Sequence, residues 1–261
     1  TRVFNRTTRS LAMTDVGRHF LERARRVMAD LDAAEKEAVG ETEVPQGHLT
    51  VTASVTFGRS VVAPVIRAFL ATHPRTTVAV ILVDRITNLI EEGIDAAVRI
   101  GPLPDSSLIA KRIGVVRRVL VASPRYLARR GTPTAPAELR QHAVIAFTGL
   151  GTSRERRFSG SGKSRSVTVE PRLEINDAVA ALAAAEAGEG IAMALSYMVA
   201  DRLKKGKLTT VLDAMMPLPE PVHLVHAQSH LMAPRLRAFI DFAAPRLKQD
   251  LDQLSIATQH Q

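Results

Sequence analysis

Between Thr14 and Val39 the apolar positions keep helical time. Phe20, Ala24, Val27, Leu31, Ala34 and Ala38 follow one another at steps of 4, 3, 4, 3 and 4 residues, the a/d seam of a two-helix coil. Thr14 is placed to cap the first turn, Asp15 complements the positive helix N-terminus, and Gly40 marks the stop. About 25 residues rising 1.5 Å each make a rod of roughly 37 Å. Such a stripe can lie on its own domain or pair with the same helix of a second copy. Its length, its alanine content and its isolation by the turn-forming Glu43-Val44-Pro45-Gln46-Gly47 segment favour pairing.

After Gly47 the period changes to short apolar runs alternating with amphipathic stretches. Strands are expected at Leu49 to Ala53, Thr77 to Val83, Ala96 to Ile100, Val119 to Ala122, Val144 to Phe147, Val167 to Ile175, Ile191 to Leu195, Leu208 to Leu212 and Val222 to Ala227. Helices are expected from Phe57 to about Thr72 with Thr56 as cap, and at Ile86 to Glu92, Pro124 to Arg130, Asp177 to Ala187 and Tyr197 to Lys205. A closing amphipathic helix runs from Pro234 to Leu251 with Leu236, Phe239, Ile240 and Leu247 inward. This alternation argues for parallel sheets and an α/β fold. The Gly-, Ser- and Arg-rich stretch from Gly149 to Ser166 reads as a mobile loop or hairpin tip.

Composition narrows the function classes. The 261 residues are 46% hydrophobic and 23% charged, without a cysteine. Disulfides, thiolate metal sites and Cys nucleophiles are thereby excluded. No uninterrupted apolar run reaches the roughly 18 residues of a spanning helix, and Thr1 to Ser10 lacks a secretion signal's apolar core. A soluble, cytoplasmic protein is expected.

Three chemical motifs fail on inspection. Gly160-Ser161-Gly162-Lys163-Ser164 suggests a phosphate loop, but the required first glycine is replaced by Arg157, and a strand follows where a helix N-terminus is needed. His223, His226 and His230 suggest a metal, yet His223 and His226 would point to opposite faces of a strand and no carboxylate at ligand spacing accompanies them. No Gly-x-Ser-x-Gly elbow is present. Neither enzymatic activity, a metal nor a cofactor is expected.

The N-terminus carries more information. From Thr1 to Arg26 seven arginines stand against Asp15 and Glu22, a local balance of +5, with Asn5, Thr7 and Thr8 between them. Arg, Thr and Asn bond phosphates, and arginines reach into grooves; a solvated basic turn has the same composition. At this point the run Phe4-Asn5-Arg6-Thr7-Thr8-Arg9-Ser10-Leu11-Ala12-Met13-Thr14-Asp15-Val16-Gly17 resembles the wing of a LysR-type transcriptional regulator. The likeness extends through Ser54-Val55-Thr56-Phe57-Gly58 and Pro64, Asp84-Arg85, Glu92 to Gly101, Ala122-Ser123-Pro124-Arg125-Tyr126-Leu127 and Gly190-Ile191-Ala192, about nine tenths of the chain.

The resemblance implies a two-lobed, periplasmic-binding-protein-like (type II) effector domain, preceded by the wing of a winged helix-turn-helix and a long linker helix. Residues 1–14 would be wing, 15–46 linker and dimerisation helix, 47–117 with 223–261 the first lobe, and 118–222 the second. Crossover strands are expected near Arg118 to Ala122 and Val222 to Ala227. Family members begin with three helices that include the recognition helix; the sequence starting at Thr1 is expected to lack them. Promoter DNA, a small and possibly anionic organic effector, and a second copy in a homodimer or homotetramer are the implied partners. For DNA the candidates are Arg6, Thr7, Thr8, Arg9 and Thr14.

Effector candidates sit at strand ends and helix starts. Ser54 and Thr56 offer hydroxyls and backbone amides to a carboxylate, with Phe57 as an apolar wall. Asp84 and Arg85, Ile100 and Gly101, and Phe147 with Thr148 end strands, while Asn176 and Asp177 open a helix across the crevice. Plain helix capping is the competing explanation for several of them. A stand-alone solute-binding protein would share the fold without needing the coil, and an enzyme would need a catalytic constellation. The overall charge of +9 divides unevenly: Asp30 to Glu43 carries −5, and Lys111 to Arg130 carries seven bases and no acid. An anionic ligand, a subunit contact or solvation would account for that second run.

Overall fold

The computed structural model describes residues 3–6, 11–14, 16–17, 20–21, 24, 27–28, 44–103, 108–151, 154–160, 163–228 and 232–257. At the N-terminus β1 (Phe4–Arg6) pairs antiparallel with β2 (Leu11–Met13). Thr14 caps the helix that follows: its Oγ accepts from Gly17 N at 3.0 Å and donates to Val3 O at 3.2 Å. A side chain on Gly17 would collide with that same carbonyl. The described residues from 16 to 28 are helical, whereas Leu31, Ala34 and Ala38 of the expected seam lie outside the described residues.

Two five-stranded sheets follow. The first has β3 (Gly47–Ala53), β4 (Thr76–Leu82), β5 (Ala96–Ile100), β6 (Leu108–Val116) and β14 (Glu220–Ala227), in the order β4-β3-β5-β14-β6. The second has β7 (Arg118–Ala122), β8 (Val144–Phe147), β11 (Pro171–Ile175), β12 (Ile191–Leu195) and β13 (Thr209–Val211), in the order β11-β8-β12-β7-β13. In each sheet four strands run in one direction and one runs against them, β14 in the first sheet and β7 in the second. The chain leaves the first sheet between Val116 and Arg118, and returns between Val211 and Glu220. The returning strand pairs in the first sheet from Glu220, ahead of the expected boundary at 222/223.

Helices cover the sheets: α1 (Val55–Thr72), α2 (Pro124–Arg130), α3 (Ala178–Glu186), α4 (Ser196–Lys204) and α5 (Pro234–Ala257). In α1 a wider turn spans Gly58–Val62, where the glycine lets the helix approach Leu82 more closely than any Cβ would allow. Its composition alone would suit a membrane, with a mean hydropathy of 1.3 over 18 residues. Its packing explains that composition, because Phe57, Val61, Val65, Ile66 and Phe69 are buried in the first core. There Phe69 meets Phe239 of α5 edge to face, ring centres 5.4 Å apart.

Three expectations fail and one strand escapes the sequence pattern, each for a local reason. The stretch from Ile86 to Glu92 is one turn, not a helix: Asn88 Oδ1 accepts from Ile90 N and Glu91 N, and Gly93 at φ +62 closes it while Ile94 N reaches Leu89 O. Lys111-Arg112 hid the nine-residue β6, whose outer positions face solvent. The strand expected over Val167 to Ile175 breaks at Val169-Glu170. Its first part instead forms an antiparallel hairpin, β9 (Glu155–Gly160) with β10 (Lys163–Thr168), which supports the hairpin side of the Gly149 to Ser166 reading. Finally, Thr56 caps nothing: α1 starts at Val55, whose N–H is taken by Asp84.

Candidate functional site

The two sheets meet across a cleft of about 250 Å³. Strand C-termini line it from both sides, with Ser54, Asp84 and Ile100 from the first sheet and Phe147 and Leu195 from the second. Ligands of open α/β sheets sit at this end because loops and helix N-termini converge there.

The start of α1 is assembled from two strands. Asp84, at the end of β4, accepts from Val55 N at 2.9 Å, so the first turn is capped from outside and the Ser54 side chain makes no capping bond. The freed Ser54 side chain lines the cleft beside Tyr197, which comes from α4 on the other side. Burial pushes the Tyr197 phenol well above its ordinary pKa, and the nearby Asp84 adds to the shift. The Tyr197 ring stands edge-on to Phe57, with centres 5.0 Å apart.

Charge enters from the crossings. Arg118, the first residue of β7, donates through Nε to Glu220 Oε1 at 2.5 Å. Among the described residues its Nη1 meets only the Met193 sulfur, at 4.0 Å, which leaves guanidinium hydrogens for a ligand. Arg99 of β5 bonds the Thr87 side chain and carbonyl, and burial lowers its pKa. Arg85 is held by Glu92 in a bidentate pair at 2.8 and 2.7 Å. On β9, Arg156 is lowered by burial and by the charge of Arg118. Three guanidiniums against Asp84 and Glu220 give the lining a positive bias.

A family profile described as the LysR substrate binding domain matches residues 42–248. The chain belongs to the LysR family of transcriptional regulators. An HTH-type transcriptional regulator of Xanthomonas campestris is 32% identical over 258 residues, spanning 97% of this chain and 75% of that one. An HTH-type transcriptional repressor of Pseudomonas aeruginosa is 33% identical over 92% of this chain and 77% of its own. The structure of CrgA, a LysR-type regulator from Neisseria meningitidis, superposes with a TM-score of 0.70 at 29% identity, covering 96% of this chain and 84% of that chain.

Of the residues expected to meet the effector of this LysR-family chain, Ser54, Thr56, Asp84, Arg85, Ile100 and Phe147 line the cleft. Five do not. Phe57 is fully buried in the first core, beneath Tyr197. Gly101 is buried at φ +97, its N–H given to Pro221 O. Thr148 turns toward Ile175 O. Asn176 and Asp177 follow β11, the edge strand of the second sheet, and the Asp177 carboxylate caps α3 through Ala180 N at 2.8 Å. Sequence reasoning missed Tyr197, Arg118, Arg99 and Glu220. Tyr197 was within reach of the strand-end rule that found Ser54, since Leu195 ends β12 and α4 starts beside it.

Among the DNA candidates, Thr7, Thr8 and Arg9 lie outside the described residues, and Arg6 ends β1. The Thr14 hydroxyl hydrogen is given to Val3 O, so its observed role is capping rather than donation to a phosphate. His226 is buried on β14, His223 lies three positions earlier on the same strand, and His230 is outside the described residues.

Proposed function

We propose that the cleft binds a small organic acid and that its occupancy biases how two subunits present DNA-binding heads to a promoter. Arg118 carries this reading: a guanidinium at the joint between the lobes, only partly engaged by Glu220, beside the freed Ser54 hydroxyl. The acid would accept from Arg118 and Ser54, with Phe147, Leu150 and Met198 as apolar walls. A ligand acts only through different affinity for two arrangements, and contacts to both lobes supply that difference.

In this reading residues 1–14 are wing, 15–46 a linker helix, and the two sheets the lobes of a cytoplasmic effector domain. A homodimer or homotetramer forms through the linker helix and the effector domain. Support comes from Phe20 and Val27, two seam residues that are 63% and 66% exposed in the single chain. DNA contact by the wing falls to Arg6, Thr7, Thr8 and Arg9, in a chain carrying the family's helix-turn-helix ahead of them. A gel shift of such a chain should weaken steeply with salt.

The effector assignment is tested by titration calorimetry with small aliphatic and aromatic carboxylic acids. At least one should bind the parent chain and lose about tenfold affinity or more in Arg118→Ala, since a charge-assisted hydrogen bond is removed. Equal affinity in parent and variant would overturn it.

A further inference from the structure

The second lobe holds another concavity, larger than the cleft, at the opposite ends of its parallel strands. It measures about 710 Å³. Ala143 and Ile145 border it at the start of β8, Arg172 and Leu173 at the start of β11, and Gly188 and Glu189 just ahead of β12. Its floor is fixed, because the buried Tyr126 hydroxyl accepts from Ala143 N at 3.0 Å and bonds His142 Nδ1 at 3.1 Å.

Four arginines from three elements surround it: Arg129 and Arg130 from the last turn of α2, Arg140 from the turn Pro136–Gln141, and Arg172 from β11. Arg129 donates to Gly188 O at 2.8 Å, which ties α2 across the rim. Among the described residues Arg130, Arg140 and Arg172 have neither an ion pair nor an acceptor. Of the two acids at the rim, Glu170 is already paired with Arg154 at 2.6 Å. The helix dipole accounts for cations at the end of α2, but not for Arg140 and Arg172.

Guanidiniums converging on one concavity repel each other and focus a positive potential into it. An anion with several charges relieves that repulsion, and the guanidinium fork matches phosphate oxygens in pairs. The volume lies in the range of small-molecule sites, and a concave shape suits a compact ligand better than a duplex or an extended acidic chain. We propose that this pocket binds a small molecule bearing two or more phosphate groups, independently of the acid in the cleft.

Inorganic pyrophosphate is the probe, titrated calorimetrically into the purified chain at constant ionic strength, with thermal unfolding in parallel. The expected result is one site per chain, a raised Tm, and at least about a tenfold loss of affinity in Arg140→Ala/Arg172→Ala. Both side chains are exposed, so the double variant should keep its far-UV circular dichroism. Arg125→Ala, on α2 but outside the pocket, should bind like the parent. Equal affinity in the double variant, an equal response to sulfate, or a response only to polyglutamate or duplex DNA would overturn the proposal.

Discussion

Arg118 and Glu220 stand at the first positions of the strands that follow the two crossings, one in each sheet, and are joined by a 2.5 Å ion pair. Each side chain is about a quarter exposed, at 28% and 24%. The pair therefore fastens the lobes at their hinge while drawing charge from the cleft.

Replacing Glu220 with Gln separates these roles. The neutral side chain should cost about 1 kcal/mol of stability in urea unfolding. It should also strengthen binding of an acid to Arg118, whose charge is then less neutralised. Unchanged stability and affinity would mean that the pair serves neither purpose.

Ser54 and Tyr197 line the cleft from opposite lobes, and Ser54 offsets part of the burial-driven rise in the Tyr197 pKa. A double-mutant cycle of Ser54→Ala and Tyr197→Phe should give a coupling of about 0.5–1.5 kcal/mol in stability. Ser54→Ala alone should weaken acid binding while leaving DNA affinity without effector nearly unchanged. A coupling near zero would place the hydroxyls in solvent.

Phe57 acts through packing. Its ring is fully buried, so Phe57→Ala should destabilise the chain by about 3–5 kcal/mol. Ile86, at the cleft mouth, is 90% exposed, and Ile86→Ala should shift stability by less than about 0.5 kcal/mol. Urea midpoints compare the two, and similar losses would contradict the burial assignment.

Stability should fall in mild acid. Burial lowers the pKa of His142 and of His223 in the folded chain, with smaller contributions from Arg130 and Arg112. Each imidazole then binds its proton more weakly folded than unfolded, where it titrates near 6.5. The unfolded state takes up the excess protons, so stability is complete above about pH 6.5 and declines as the pH drops through the folded values. His142→Gln/His223→Gln should flatten the change in urea midpoint between pH 7.5 and 5.5; an unaltered slope would assign it to other groups.

In the linker, Phe20→Ser/Val27→Ser should turn a dimer into monomers by sedimentation. Each apolar side chain buried at a helix pair contributes about 1.5–3 kcal/mol. Dimers that survive both changes would place the contact elsewhere.

Strands buried on both faces were legible because they leave continuous apolar runs, as Val144 to Phe147 does. The edge strand β6 was not, since Lys111 and Arg112 face water and break the run. Ser54, Asp84 and Phe147 were reachable through strand ends, but a strand end does not reveal which sheet edge it occupies, and so Asn176 and Asp177 were misplaced. Nor does local sequence show that Asp84 would cap α1 from 29 residues away and leave Ser54 free. Arg118 and Glu220, 102 positions apart, become partners only through the two crossings.

A crystal structure of the chain with an acid that binds in calorimetry tests the central claim most directly. Density for the acid between Arg118, Ser54 and Tyr197, with its carboxylate on the Arg118 guanidinium, is the predicted result. Density at another site, with the cleft still bridged only by its own side chains, would contradict it.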